Sequence, residues 1–292
     1  MLYLYQFCDN FSFLILSAVG LAIIFGMMGI INLAHGEFIM LGAYITTILA
    51  KAGLPLPLAI AAGTAGTGLY GIIIDRLIIC RLYSRPLDSV VTTWGISLVM
   101  CQGVRILFGS TYPGVSTPLG SFTVGNTKYS VYRLVLTFVA IALIVGIYFL
   151  FMHTKIGLKA RATMQSSEIA NSLGVNTNRM YAFTFMLGSA LAGLTGGLYA
   201  PTMSITPDIG SNFMMESFVT VIVGGTNPLL GTVVSGGFLS FIRSAIAMAW
   251  GTFAGRIGLL VVAILFIRVI PQGFSGLIEN IQRKREARVN VK

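Results

Sequence analysis

From residue 11 to residue 30 the chain runs for 20 positions without one charged side chain, enough to cross the ~30 Å hydrocarbon core of a bilayer as a helix. Mostly apolar stretches recur at 54–79, 90–108, 132–152, 181–200, 229–250 and 257–270. Two shorter ones, 38–50 and 216–223, adjoin polar or Gly/Pro breaks and read as partial spans. With 55% hydrophobic and 10% charged residues, against ~25% charged in soluble domains, the sequence predicts an all-α polytopic membrane protein. A single transmembrane domain over 1–292, of about eight transmembrane elements including broken or half-helices, is expected.

Other classes fit poorly. The net charge of +10 does not mark a nucleic-acid partner, because the basic residues are scattered among apolar spans and form no face with interleaved aromatics. Cys8, Cys80 and Cys101 are too few and too far apart for a zinc site or a disulfide framework. His35 and His153 are the only histidines, so no H-E-x-x-H zinc motif exists, nor does a G-x-S-x-G elbow. No metal and no catalytic residue is expected. The N-terminal MLYLYQFCDN lacks a basic n-region and a cleavage site, so the first apolar stretch is expected to stay in the mature protein.

Lys and Arg accumulate in cytoplasmic loops. Placing Arg76, Arg81, Arg85, Lys155, Lys159, Arg161, Arg179 and everything from Arg268 onward inside puts 13 of the 19 basic residues there. The basic tail 280–292 is then cytoplasmic and the polar stretch 110–130 lies outside. The charges leave open whether 31–50 crosses fully, and with it the side of the N-terminus. Small residues four apart, Gly63, Thr67 and Gly71, and again Thr184, Gly188, Ala192, Gly196 and Ala200, provide stripes along which a neighbouring backbone can approach.

Two breaks carry the polar chemistry. In GIINLAHGEF, residues 29–38, Asn32, His35 and Glu37 interrupt an apolar run. Acidic groups at membrane depth cost at least about 2.5 kcal/mol and usually face a protein interior or a water-filled path. These three residues either cap and pin two half-helices or line a substrate path, and both roles are compatible. The second break, ESFVTVIVGGTNPLLGT, reads as a half-helix opening at Glu216 and ending in Gly224, Gly225, Asn227 and Pro228, with Pro228 suited to begin the next helix. Paired interruptions of this kind point to a transporter's binding site. Thr92, Thr93, Gln102 and Thr220 would add neutral donors and acceptors to such a path.

Residues 153–180 form the longest polar stretch on the inside. Within it, Ser166 or Ser167 is an N-cap candidate, Glu168 falls in the first turn, Ile169 and Leu173 share a face, and Gly174 ends the turn. Such a helix either docks into a partner's groove or lies on the surface. No Walker A pattern is present, so any ATP would be used by partner subunits, and no cofactor is expected on this chain.

Three stretches together resemble the membrane permease subunits of the hydrophobic amino acid and urea class of bacterial ABC importers, the LivH/UrtB type. GLAIIFGMMGIINLAHGEFIMLGAY is similar to the class's first signature, TKIGLKARATMQSSEIANSLGVN to its coupling loop and ESFVTVIVGGTNPLLGTVVSG to its Gly-rich segment. Thr226-Asn227-Pro228 departs from the usual Gly-x-Gly-Asn or Gly-x-Gly-Ser. TTWGISL at 92–98, Gln102, RILFG at 105–109 and SITPDIGSNFMMESF at 204–218 resemble the urea permeases more than the branched-chain amino acid ones.

The resemblance implies import of urea or a similar short amide across the bacterial inner membrane, with branched-chain amino acids as the alternative. It also implies a second LivM/UrtC-like permease subunit, two cytoplasmic ATPase subunits and a periplasmic substrate-binding protein as partners, within membrane lipid. Arg161, Glu168, Leu173 and Gly174 would then couple to the ATPases. A stand-alone channel or secondary carrier is the reading from another class.

Overall fold

The computed structural model describes residues 2–83, 85–124, 127–225 and 228–277. Eleven α-helices are present among them: α1 (Leu2–Met28), α2 (His35–Lys51), α3 (Leu56–Leu77), α4 (Pro86–Phe108), α5 (Val131–His153), α6 (Lys155–Gln165), α7 (Ser167–Ser172), α8 (Thr177–Tyr199), α9 (Ile209–Gly224), α10 (Pro228–Trp250) and α11 (Thr252–Val269). Seven of the described helices are long and apolar enough to cross a membrane. The shorter α2 and α9 join them as partial spans. Between α4 and α5 a hairpin of β1 (Ser121–Val124) and β2 (Thr127–Ser130) pairs antiparallel, with Phe122 opposite Tyr129. The fold is an all-α polytopic membrane architecture.

Helix α1 is the axis of the bundle, with Leu14, Leu16, Ala18, Ala22 and Ile24 fully buried. It is packed by α5, α8, α9 and α10, while α2 and α3 lie on α8, and α11 on α10. The small-residue stripes do what their spacing suggests. A Cβ on Gly193 would meet Thr67 at 2.6 Å, one on Gly71 would meet Ser189 at 2.5 Å, and one on Gly188 would fall 2.8 Å from the Gly20 carbonyl. Backbones that close gain dispersion contact which branched side chains would forbid.

The two ends of the bundle are distinct. At one end the Tyr5 hydroxyl bonds Ser130, Asp9 pairs with Arg133, and Lys51 sits over the Tyr112 ring. At the other end Tyr83 donates to Asp75 and packs its ring against Tyr181 of α8, and α6 closes on Met27, Phe151 and Met180. The α3–α4 turn and α6–α7, whose basic residues the charge count grouped, therefore share an end. The N-terminus of α1 shares the other with the hairpin. Residues 278–292, with the basic tail 280–292, lie outside the described residues.

Candidate functional site

The chain does not simply turn after α1. Gly29, at φ +65°, ends that helix, and residues 29–34 fold back along it, so that α2 begins beside its middle. The His35 ring marks the level: Nε2 lies 2.9 Å from the Ser17 carbonyl and donates to it, and Ser17 is about 16 Å short of the α1 terminus at 1.5 Å per residue. Three further bonds hold the break. Asn32 Oδ1 accepts the Ala34 N–H at 3.0 Å, and the Thr93 hydroxyl accepts the Leu33 N–H at 3.1 Å while lying 3.3 Å from the Ile31 carbonyl. Asn32, His35 and Thr93 are fully buried. Glu37 occupies the first turn of α2, where the helix dipole favours an anion.

Helix α9 starts at the same place. A Cβ on Gly210 would sit 2.6 Å from the Gly36 carbonyl carbon, so the N-termini of α2 and α9 meet backbone to backbone. The expectation that the second half-helix opens at Glu216 is corrected here. Residues 209–215 already belong to α9, which has 16 residues and a length of about 24 Å. Glu216 is mid-helix. The rest of that break follows the sequence reading: Gly225, at φ +87°, caps α9, Gly224 abuts Gly231, and α10 begins at Pro228. Asn227 is outside the described residues.

Facing both N-termini is a polar stripe on α4 in which Ser89, Thr93, Ser97, Cys101 and Arg105 recur every four residues. Thr93 braces the α1–α2 break, Ser97 lies beside the Glu37 carboxylate, Cys101 Sγ lies 3.5 Å from the Pro207 carbonyl, and Arg105 holds both Asp208 oxygens at 2.7 and 2.8 Å. Of the α4 residues singled out from sequence, only Thr93 joins this face. Thr92 bonds its own helix at Asp88, and Gln102 is exposed on another side. The four-residue period was the signal that finds Ser97, Cys101 and Arg105.

Glu216 and Thr220 belong to a different cluster. Glu216 is 1% exposed and ion-paired twice, with Arg243 and with Arg256 Nε at 3.0 Å; the Arg243 guanidinium also lies over the Phe13 ring. The Thr220 hydroxyl donates to the Glu216 carbonyl, and its own carbonyl accepts from Ser235. The two acids singled out from sequence thus differ in kind. One is neutralised by two arginines. The other, Glu37, has no ion-pair partner among the described residues, and its Oε2 has no hydrogen-bond partner.

At the opposite end, the Ser166 side chain accepts the Ile169 N–H and caps α7, Glu168 lies in the first turn, and Gly174, at φ +85°, ends it. Ile169 and Leu173 are 64% and 77% exposed, an apolar pair presented to solvent. Arg161 on α6 instead reaches Met152 and stands at the edge of an apolar cavity of about 270 Å³ between α1, α5, α6 and α10. None of the residues expected to line the pathway contributes to it. No group of three metal-ligating side chains occurs among the described residues.

These helices, breaks and exposed end loops define a membrane permease. The chain belongs to the branched-chain amino acid transport system / permease component family, which matches residues 4–270. Among its relatives, the high-affinity branched-chain amino acid transport system permease protein BraD of Pseudomonas aeruginosa is 29% identical over 89% of this chain and 91% of its own. The probable branched-chain amino acid transport permease protein LivH of Methanocaldococcus jannaschii is 27% identical over 91% and 89%, and the autoinducer 2 import system permease protein LsrD of Escherichia coli is 24% identical over 76% and 69%. No solved structure matches. The chain is a transport subunit and not an enzyme. The resemblance to the urea branch finds no support among these relatives, and the branched-chain amino acid alternative fits them better.

Proposed function

We propose that this chain is one of two permease subunits of an ATP-driven importer of branched-chain aliphatic amino acids in a bacterial cytoplasmic membrane. The observation that carries the reading is the meeting of two broken helices at Gly36 and Gly210, the arrangement from which transporter binding sites are built, in a chain whose relatives, matched over about nine-tenths of their length, are branched-chain amino acid permeases. The loops rich in Lys and Arg face the cytoplasm, the hairpin and the N-terminus of α1 face outward, and the C-terminal tail is inside. A periplasmic binding protein delivers substrate to the outer face.

Two cytoplasmic ATPases supply the energy, since this chain has no phosphate-binding loop. Their closure on ATP moves α6 and α7, whose exposed Ile169 and Leu173 provide the apolar contact, and Glu168 and Gly174 shape the helix that carries them. Movement at that end reaches α5 and α8 directly, as α6 packs on both. The path between the paired permeases then exchanges an outward for an inward opening, driven by the difference in contacts between the two states.

Uptake of labelled leucine and labelled urea, measured in cells expressing the chain with its ATPase, second-permease and binding-protein genes, tests the reading. Leucine uptake that excess unlabelled isoleucine suppresses and urea does not is the expected result. Urea uptake without leucine uptake overturns it.

A further inference from the structure

We infer that the Glu37 carboxylate is the receptor for the substrate's ammonium group, in the seam between α2 and α4. The inference rests on the proposed amino acid importer and names one contact within it. Five charged residues gather in the outer half of α1, α5, α9, α10 and α11, and each has an opposite partner: Asp9 with Arg133, and Glu216 with Arg243 and Arg256. Arg105 and Asp208 pair likewise. Glu37 stands apart. It is 9% exposed, no Lys or Arg reaches it among the described residues, and Oε2 is left without a hydrogen bond. A carboxyl taken out of water in this way holds its charge only when a cation meets it, and a primary ammonium, with three donors on one centre, suits a single open oxygen.

The surroundings agree with a ligand and not with a closed structural bond. Ser97 occupies one side of the carboxylate. Seven residues further along α2, Tyr44 is 1% exposed with its hydroxyl unpartnered, and its ring meets Phe108 of α4. Two buried side chains on α2 thus bring unsatisfied polar atoms to the same neighbour. That neighbour is the least enclosed of the seven spanning helices described, with 11% of its apolar window buried. It packs on α2 more than on any other helix. A seam closed by one loosely held helix can admit a small solute without unpacking the α1–α8 core.

The closing experiment compares Glu37→Gln with Glu37→Asp in the assembled importer. Glutamine keeps the shape and a polar head and loses the charge, so a purely structural role for Glu37 would survive it. The proposal predicts that leucine uptake falls at least tenfold in Glu37→Gln and recovers in part in Glu37→Asp. Complex assembly, read by co-purification of the ATPase subunits with the permease, should be retained in both. Uptake by Glu37→Gln within twofold of the unsubstituted importer overturns the proposal and leaves the amino acid reading standing. Loss of assembly in Glu37→Gln assigns Glu37 to the scaffold and overturns it too. Absence of leucine uptake by the unsubstituted importer overturns the amino acid reading, and this proposal with it.

Discussion

Gly36 and Gly210 rest on each other with no side chain between them, so that the first turns of α2 and α9 share one contact. A Cβ on Gly210 would lie 2.6 Å from the Gly36 carbonyl carbon and 3.0 Å from the Glu37 nitrogen. Both obstacles are backbone, which cannot swing aside. Gly210→Ala should destabilise the folded subunit by about 1–3 kcal/mol, the usual cost of overpacking. Gly95→Ala, where a Cβ meets nothing within 4 Å, should be neutral or mildly stabilising. Thermal unfolding of the purified protein in detergent separates the two.

Arg243 and Arg256 should differ in how much they matter. The Arg243 side chain is 14% exposed and that of Glu216 is 2% exposed, so Arg243→Ala strands a buried carboxylate and should cost about 3–5 kcal/mol. Arg256 is 39% exposed and its loss should cost less. Replacing Glu216 and Arg243 together by Gln and Met should recover part of the loss. Folded yield and melting temperature of the three variants are the measurement.

Leu173 is exposed and makes no part of the core. Leu173→Asp should therefore leave melting within about 0.5 kcal/mol of the parent, as for other surface changes. In the reconstituted importer it should cut the stimulation of ATP hydrolysis by loaded binding protein severalfold. Normal stimulation would free α7 from the coupling role.

Sidedness can be read by labelling. In a background with Cys8, Cys80 and Cys101 replaced by serine or alanine, a cysteine at exposed Phe122 of the hairpin should react with a membrane-impermeant maleimide in intact cells. One at exposed Ser172 should react only after the membrane is opened. The reverse pattern would invert the proposed orientation.

Much of this architecture was legible because a bilayer restricts the alternatives. Long apolar runs marked the seven spans, and the four-residue spacing of small residues marked close-packing faces on α3 and α8, though not which helices meet there. What sequence could not show was where the chain folds back. The segment 29–34 looks like a loop between two helices, and only the His35–Ser17 bond reveals that α2 starts beside the middle of α1. Glu216 was misplaced at a helix start because the charged residue stands at the head of the apolar run 216–223, although Ile209, Gly210 and Phe213 are buried and the helix begins at Ile209. Its two arginines lie 27 and 40 positions away, a distance at which no local pattern pairs charges. Glu37 and Glu216 therefore looked equivalent until their partners were known.

The fold-back of α2 also sets a schedule for making this protein. The folded-back segment carries the buried polar residues Asn32, His35, Glu37, Thr46 and Thr47, and residues of α8, the helix on which α2 packs most extensively, are synthesised only after about 125 further residues. At roughly 5–20 residues per second, the ribosome takes on the order of 10 s to deliver them. Until then this segment is too polar to be left in lipid and too apolar to be left in water, so it has to wait beside the insertion machinery. Membrane integration of the subunit should accordingly be a late, concerted event and not a helix-by-helix release.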